Sequence, residues 1–347
     1  MRPYLFTLLA ALSAILGTTS AEGQARPITV ERENPQVSFP QTVPAGNYSG
    51  ITALGSDDYA VVSDKSSHDG FFVFHITVNP ATGQIKSVEN KGFRDSAMPN
   101  RDQEGIAFLP QQQTIVISGE ADNAIKEYNL DGKPTMRQAE VPPVFSKARP
   151  NYSLESLSYN PKTKLLWTCN ESTLNGDGEA ATSVNGVRNR IRIQSFDSAL
   201  QPLQQYAYLM DAPEATQATD LYGMGVSELT ALDDGSLLVL EREFFTPPMR
   251  LGAFVSNKIY RVFPKSSTAV DPAAPLTDNS PWMKKELLTS WHTHLRLFNH
   301  SIANYEGMCL GPKLENGAQV LLLVSDSQDQ YAGVMQDWFK SIVISMK

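Results

Sequence analysis

Apolar and polar residues alternate in short runs along this chain, and one such pattern recurs five times. Each copy is a short apolar stretch, a polar turn and a second apolar stretch that ends in Asp or Glu. Apolar stretches of this length, separated by turn residues, are typical of β-strands joined in a hairpin. Repetition of strands alone at roughly 50 residues predicts a radial array, which is a β-propeller. The copies read YSGITALGSDDYAVVSDK from Tyr48, QEGIAFLPQQQTIVISGE from Gln103, LESLSYNPKTKLLWTCNE from Leu154, SELTALDDGSLLVLERE from Ser227 and YEGMCLGPKLENGAQVLLLVSD from Tyr305.

Acidic residues occupy the two ends of most copies. A hairpin brings the start of its first strand and the end of its second strand to the same edge. If the hairpins are arranged radially, these edges converge, and up to nine carboxylates meet at one mouth. Like charges at that density repel unless a cation, protonation or basic neighbours offset them. The first copy has Ser49 and Asp64 at the two positions, and the other pairs are Glu104/Glu120, Glu155/Glu171, Glu228/Glu241 and Glu306/Asp326.

The remaining apolar stretches supply further strands to each copy and predict an all-β fold with five visible blades. The last copy ends with a strand at Trp338–Ser345, and nothing after it can serve as a fourth strand. We expect the stretch Ile28–Val30 to pair there, because this closes the ring and removes a free sheet edge. A sixth, degenerate blade could lie in the longer spacings between Glu155, Glu228 and Glu306.

The N-terminal segment, residues 1–21, predicts a secretory signal peptide. Arg2 gives the positive start, Tyr4–Leu16 is apolar, and small residues end the segment at Ala21. We therefore expect export to a periplasm or to the outside. Residues 22–45 are then an extension that carries the closing strand, and residues 46–347 form the propeller domain.

The composition narrows the class of protein. With 347 residues and 41% hydrophobic content, the chain can bury a sizeable core as one domain. A net charge of −8 without a basic stripe argues against nucleic-acid binding. No later segment predicts a membrane span, and we expect a monomer. Cys169 and Cys309 are interpreted as buried apolar residues, and whether they are bonded stays open.

The chain resembles the Phytase-like family, also described as esterase-like activity of phytase. The resemblance covers roughly residues 45–347 and implies a β-propeller that hydrolyses phosphate or other esters. Other hydrolase signatures, the Gly-x-Ser-x-Gly elbow, an Arg-His-Gly run and a phosphate-binding P-loop, are not in the sequence. The stretches that carry the resemblance are SGITAL with VVSD, QEGIAFLP, LESLSYNPKTKLLWTCNE, GVSELTALDDGSLLVLERE and NYEGMCLGPKLENGAQVLLLVSD.

The chemistry that the resemblance implies is metal-assisted. Calcium prefers oxygen ligands, and a metal held by carboxylates can grip a phosphate and activate a water molecule. An opening Glu could instead accept backbone N–H groups from a neighbouring blade and tie the ring together. Glu104, Glu155 and Glu228 are also the catalytic candidates, together with His68 as a general base. The candidate ligands are first Glu104, Glu155, Glu228 and Glu306, and then Asp64, Glu120, Glu171, Glu241 and Asp326.

Basic residues lie next to several of these acids. Lys65 follows Asp64, Arg242 follows Glu241, and Arg101 precedes Glu104. They could bind a substrate phosphate or carboxylate, or they could simply neutralise the acidic rim. Two other functions stay open for the same fold. One is a noncatalytic propeller that binds a sugar, a peptide or an envelope component, and the other is a lactonase that shares the metal site.

Overall fold

The computed structural model describes residues 27–330 and 333–346. The predicted signal peptide lies outside the described residues. Within the described part the chain has no α-helix, and two short 3₁₀ helices, Pro143–Lys147 and Pro264–Ser266, lie in connections between strands. Accordingly, none of the helices described has the length and apolarity needed to cross a membrane.

The described chain folds into strands that follow the predicted pattern. Val, Ile, Phe and Tyr fill their buried positions, as is typical of strands that pack on both faces. The strands are β1 (Ile28–Glu33), β2 (Tyr48–Gly55), β3 (Asp58–Ser63), β4 (His68–Val78), β5 (Ile85–Pro99), β6 (Gln103–Leu109), β7 (Thr114–Gly119), β8 (Ala124–Asn129), β9 (Pro134–Gln138), β10 (Ser158–Asn160), β11 (Leu165–Cys169), β12 (Arg190–Phe196), β13 (Pro202–Leu209), β14 (Leu221–Ala231), β15 (Leu237–Thr246), β16 (Phe254–Val262), β17 (Lys285–Arg296), β18 (Asn299–His300), β19 (Asn304–Lys313), β20 (Gln319–Asp326) and β21 (Phe339–Met346).

These strands form five antiparallel sheets, which are the blades of a β-propeller. Blade 1 is β2–β3–β4–β5, blade 2 is β6–β7–β8–β9, and blade 3 is β10–β11–β12–β13. Blade 4 is β14–β15–β16–β17 with the short edge strand β18, and blade 5 is β19–β20–β21–β1. No sixth blade occurs among residues 27–330 and 333–346, because loops and extended strands fill the longer spacings.

The N-terminal strand closes the last blade, as predicted. β1 pairs with β21 in antiparallel register from Ile28 opposite Met346 to Glu33 opposite Ile342. This pairing covers the edge of β21 that would otherwise expose unpaired backbone groups. The two ends of the described chain therefore hold the ring shut.

The first strands of the blades form the inner wall of the ring. β2 contacts β6, β6 contacts β10, β10 contacts β14, β14 contacts β19, and β19 contacts β2. The strands approach so closely that a Cβ atom on Gly50 would lie 2.4 Å from the Glu104 carbonyl oxygen. Side chains bridge the wall as well, since the Thr230 hydroxyl donates to the Met308 carbonyl oxygen at 2.9 Å.

Apolar side chains fill the spaces between blades and hold the ring together. Between blades 5 and 1, for example, Phe74 meets Phe339 edge to face at 6.1 Å, and Tyr48 packs in the same cluster. Burial of each such side chain stabilises the fold by about 1.5–3 kcal/mol. Cys169 and Cys309 are free and buried, as interpreted from the sequence.

Candidate functional site

A cavity of about 310 Å³ opens at the end of the ring where the first strands begin and the second strands end. Eight carboxyl groups and two basic side chains line it. Blades 1, 2, 3 and 5 contribute the acids, so chain folding does gather acids that are far apart in sequence. We call this cavity the axial mouth. It is lined by Asp64, Lys65, Asp102, Glu104, Glu120, Asn151, Tyr152, Glu155, Glu171, Gly223, Arg242, Glu306, Asp326 and Gln328.

The opening residues lie at irregular points of the first strands. In blade 5 the register skips one residue, so Glu306 has no partner on β20. The same register shift leaves Ser49 in blade 1 and Ser227 in blade 4 without a partner on the second strand. In blade 2 the shift spans Gln103 to Ile106, so Glu104 also lies at the irregular point. A β-bulge bends the strand and re-aims a side chain. In blades 2 and 5 the side chain at this point is a Glu that faces the axial mouth.

Blade 4 carries a basic residue where the other blades carry the closing acid. In blade 5, Tyr305 lies just before the bulge and pairs with the residue that precedes Asp326. In blade 4 the corresponding residue, Val226, pairs with Glu241, which precedes Arg242. Arg242 is therefore the equivalent of the closing acid, and its side chain lines the mouth.

The prediction that Glu228 and Glu241 lie at the rim is wrong in its geometry. Glu241 faces away from the mouth, where it accepts hydrogen bonds from the Tyr208 hydroxyl and, at 2.6 Å, from the Lys285 ammonium. The register explains the error. The structural equivalent of the opening acid in blade 4 is Ser227, and Glu228 corresponds to the next residue of the strand.

Glu228 lies inside the ring wall. Its carboxylate accepts the backbone N–H of Leu229 at 2.9 Å and also those of Leu157 and Met308. It thereby joins the first strands of blades 3, 4 and 5, and burial raises its pKa well above the usual range. Leu157 and Met308 also line a second cavity, of about 350 Å³, formed by the other ends of the first strands. Glu228 therefore ties the ring together, which is the structural alternative foreseen for an opening Glu.

Three carboxylates of the axial mouth lie close enough to share a cation. Oxygen atoms of Asp64, Asp102 and Glu104 all lie within 4.8 Å of one another. One oxygen of Asp64 is buried without a hydrogen-bond partner among the described residues. Burial raises the pKa of both Asp64 and Glu104, and neighbouring carboxylates add to the rise. The donor set, oxygen atoms only, fits a hard cation such as calcium.

Lys65 partly neutralises this group of acids. Its ammonium lies 2.7 Å from Asp64 and 3.3 Å from Asp102, while half of its side chain is exposed. Asp102 was missed by the sequence reasoning, although it stands two residues before Glu104 in the run RDQEG. The backbone of Asp102 is left-handed, with φ of 56°, which is a turn conformation that Asp tolerates. Because Asp102 lies in a turn, the strand pattern of the sequence does not indicate its position at the mouth.

Arg242 pairs with acids from two other blades. Its guanidinium contacts Glu171 directly and lies 3.6 Å from Glu306. Burial is the main cause that raises the pKa of Glu171 to about 7 and that of Glu306 to about 8, against the lowering effect of Arg242. The Nε atom of Arg242 is buried and has no acceptor among the described residues. The mouth therefore combines uncompensated carboxyl groups with one incompletely bonded guanidinium.

The other predicted site residues are distributed as follows. Glu155 and Asp326 line the mouth, and burial raises the pKa of each well above the usual range. Arg101 does not line it, because its guanidinium is held by Asp69 at 3.2 Å and Asp122 at 2.7 Å. His68 lies outside it at the start of β4, exposed and 3.0 Å from an Asp95 oxygen. The structure thus does not bring Arg101 or His68 to the candidate site.

The fold and the ring of acids define a β-propeller with an acidic axial mouth. A family model described as Phytase-like, esterase-like activity of phytase, matches residues 43–328. The match spans most of the sequence, so the chain belongs to this family. The resemblance seen in the repeated stretches is confirmed.

Comparison with solved structures finds several that cover nearly the whole chain at low identity. An endo-arabinase from Bacteroides thetaiotaomicron is 11% identical, with a TM-score of 0.43, over 89% of this chain and 97% of its own. Regucalcin from Agrobacterium tumefaciens, a calcium-binding protein, is 11% identical, with a TM-score of 0.41, over 92% and 97%. A duf4221 family member from Bacteroides vulgatus is 10% identical, with a TM-score of 0.40, over 93% and 100%. Among curated proteins, no sequence matches this chain.

Removal of divalent cations should make the stability of the fold depend unusually on pH. The carboxyl groups of Glu120, Glu171 and Glu306 have a folded-state pKa of about 7 to 8, above the ordinary 4.5. Between these values the unfolded chain has lost the proton that the folded chain keeps, so the free energy of unfolding falls as pH rises. We expect the Tm in a chelator to fall between pH 5 and pH 8, and added calcium to restore it at pH 8. A Tm that rises through this range in chelator would contradict the proposed burial of uncompensated acids.

Substitution of Glu228 should separate its role from that of the mouth. In Glu228→Gln, an amide NH₂ faces backbone N–H groups, so we expect the free energy of unfolding to fall by about 1–3 kcal/mol. Calcium affinity should stay unchanged. The comparison variant, Glu104→Gln, should lose calcium affinity without destabilising the metal-free protein. Chemical unfolding and calorimetric calcium titration measure the two effects, and the reverse assignment of the two losses would refute this distinction.

Proposed function

We propose that this protein is a metal-assisted hydrolase of phosphate or other esters, with calcium held at the axial mouth. The observation that carries the proposal is the gathering of eight carboxyl groups around one cavity. This arrangement is unfavourable without a compensating charge, because burial and mutual repulsion both disfavour the ionised forms. A cation bound in the cavity would offset both of these costs.

Asp64, Asp102 and Glu104 are the residues that would hold the cation first. Their oxygen atoms are mutually close, and one oxygen of Asp64 lacks any other partner in the described chain. Glu306 and Asp326 line the same cavity and can complete the oxygen ligands that calcium requires. A bound calcium ion supplies charge that polarises a phosphoryl or carbonyl oxygen and lowers the pKa of water.

Arg242 is placed to bind the anionic part of a substrate. It lines the mouth beside Glu171 and Glu306, and its guanidinium can donate to a substrate oxygen. Arginine presents its donors in a planar fork that matches phosphate and carboxylate. Lys65, half-exposed at the same rim, offers a second and more mobile positive charge.

Two acids of the mouth suit proton transfer near neutral pH. Burial is the main cause that raises the pKa of Glu120 to about 7, so it can accept a proton from an attacking water. Burial and the neighbouring Glu171 hold the pKa of Glu155 well above its usual range, so it keeps a proton that it can donate to a leaving group. The unequal environments of these two carboxyl groups support their opposite roles.

The test is turnover of a panel of phosphomonoesters, phosphodiesters, carboxylic esters and lactones, with calcium and with chelator. We expect chelator-sensitive hydrolysis of at least one ester class. Loss of the ligand in Glu104→Gln should lower the turnover by about a hundredfold or more. The matched control is Glu89→Gln, which changes an exposed Glu on β5, away from the mouth.

The outcome also separates the alternative functions. Hydrolysis of lactones alone would identify a lactonase that uses the same site. Binding of ligands without turnover of any ester would favour the noncatalytic propeller. Turnover that resists chelator, or wild-type turnover by Glu104→Gln, would reject the proposed mechanism.

We also propose that the protein is exported and acts outside the cytoplasm. The support is the sequence of residues 1–21, with its basic start, apolar stretch and small residues before the end. Expression of the full chain should yield a processed protein in the periplasm or medium. N-terminal sequencing should place the new terminus close to Ala21, and recovery of the unprocessed chain from the cytoplasm alone would contradict export.

A further inference from the structure

Blade 4 projects beyond the axial mouth, at the end of the ring where the mouth opens. In blades 1, 2, 3 and 5 the second strand ends within two residues of the closing acid. In blade 4, β15 continues for four residues past Arg242, to Thr246, which pairs with Leu221 at the start of β14. At about 3.3 Å per residue, this hairpin extends roughly 13 Å past the level of Arg242.

Two loops lie side by side at the end of the projection. One is the connection between β15 and β16, and the other is the turn between β17 and β18. The Gly252 N–H donates to the Leu295 carbonyl oxygen, and the Leu295 N–H donates to the Ala253 carbonyl oxygen, each at 2.9 Å. We call residues 247–253 together with residues 295–300 the blade 4 tip.

The blade 4 tip exposes four large apolar side chains to solvent. Phe298 is 95% exposed and Met249 is 88% exposed, while Leu251 and Leu297 are each more than half exposed. Single exposed apolar residues are common on a protein surface, but these four lie on two loops that are hydrogen-bonded to each other. A group of this kind is typical of a surface that binds a partner or a membrane.

The geometry of the β17–β18 turn does not account for its apolar residues. The two strands pair up to Arg296 opposite Asn299, so Leu297 and Phe298 alone form the turn. Two-residue hairpin turns favour Asn, Asp and Gly, because these residues tolerate positive φ angles. Leu and Phe bring no such advantage to the turn.

The blade 4 tip stands on a packed base. A small apolar cluster of blade 4 and the neighbouring blade 5 lies under it, and the rings of Phe245 and Phe254 add an aromatic contact at 5.3 Å. The buried members of the cluster are Ala253, Val255, Ile302 and Met335, with Phe244 and Leu295 packed against them. Because these contacts hold the loops in place, little ordering is needed when the tip binds.

The charge of the tip is opposite to that of the whole protein. Residues 244–257 and 287–305, which form and support the tip, contain no Asp or Glu, although the chain has 37 acidic residues and a net charge of −8. Arg250 and Arg296 lie in these segments, and both are exposed. Asp220, which precedes β14, is an exposed acid near the base of the first loop. The tip is thus a basic and apolar end on an acidic protein, which suits a surface that is negatively charged and apolar beneath.

We propose that the blade 4 tip binds the surface of a membrane that contains anionic phospholipids. Its apolar side chains enter the boundary between headgroups and acyl chains, and Arg250 and Arg296 lie among the lipid phosphates. A protein partner would need a groove shaped to receive a projecting tip, whereas a lipid surface yields to it. The inference does not depend on the proposed function. Because the tip and the axial mouth lie at the same end of the ring, the bound protein directs its mouth toward the membrane.

Flotation of the full chain with phospholipid vesicles tests the proposal. The vesicles contain phosphatidylcholine alone, or phosphatidylcholine and phosphatidylglycerol in roughly equal parts. A chelator is present throughout, so that calcium cannot bridge the acidic mouth to the lipid phosphates. We expect the anionic vesicles to bind about tenfold or more tightly than the neutral ones, because two arginines approach the charged surface. High salt should weaken this preference, since it screens the charges.

The double variant Leu297→Ser, Phe298→Ser should bind anionic vesicles about tenfold or more weakly, because both side chains lose their burial in the lipid. Both residues are exposed, so we expect the Tm to stay unchanged. The matched control, Leu130→Ser, Met136→Ser, changes two exposed apolar residues of blade 2 and should bind as the wild type does. Residues 1–21 are common to all three proteins and cannot produce a difference between them.

A second pair of variants tests the electrostatic part. Arg296→Gln should reduce the preference for anionic over neutral vesicles, whereas Arg32→Gln, which changes an exposed arginine on β1, should keep it. Absence of binding to anionic vesicles, or equal binding by the wild type and the double variant, would overturn the proposal. A dimer in sedimentation that the double variant abolishes, without vesicle binding by the wild type, would assign the tip to self-association instead.

Discussion

Repulsion among buried like charges is the constraint that the rest of the structure must offset. The ring of first strands concentrates acids at one end, and their mutual repulsion would drive a looser assembly apart. Apolar packing between blades and the closure by β1 oppose that repulsion. Part of the compensation is built into the mouth itself, where Lys65 and Arg242 contact acids from neighbouring blades. The rest is left open, which is the property that makes a cation a suitable occupant.

In blade 4 a positively charged side chain takes the place of the closing acid, and it provides part of this compensation. Arg242 stands where the other blades place an acid, so its guanidinium is delivered by the same backbone geometry that delivers the carboxylates. The pseudo-symmetric ring thereby becomes unequal in charge around its circumference. Asp64, Asp102 and Glu104 lie close together on the side of blades 1 and 2 with the exposed Lys65 beside them, whereas the buried Arg242 of blade 4 lies between acids of blades 3 and 5. An anionic molecule that enters the mouth would meet these two halves differently.

The sequence predicted most of the architecture, because hairpin strands and turns are local patterns. The five blades, the closing role of β1 and the gathering of acids such as Glu104 and Glu306 all follow from strand periodicity and hairpin geometry. The prediction for the fourth blade was wrong because it relied on the position of the acids in each copy. In every copy an apolar residue stands two places after the opening residue. In the fourth copy this apolar residue is Leu229, which places Ser227, and not Glu228, at the opening position. Asp102 lies in a connecting segment, and the approach of such a segment to a cavity depends on contacts distant in sequence.

The pairing of β1 with β21 also sets the order in which the ring can be completed. Ile28 finds its partner at Met346, so the earliest strand of the ring must wait for the latest one to be synthesised. Joining segments so distant along the chain has a large entropic cost of loop closure, and topologies rich in such contacts fold slowly. Until β21 has been synthesised, β1 has no sheet to join, and a chain interrupted before β21 would leave two unsatisfied edges. Nascent chains that stop short of β21 are therefore open rings, and closure follows the synthesis of that strand.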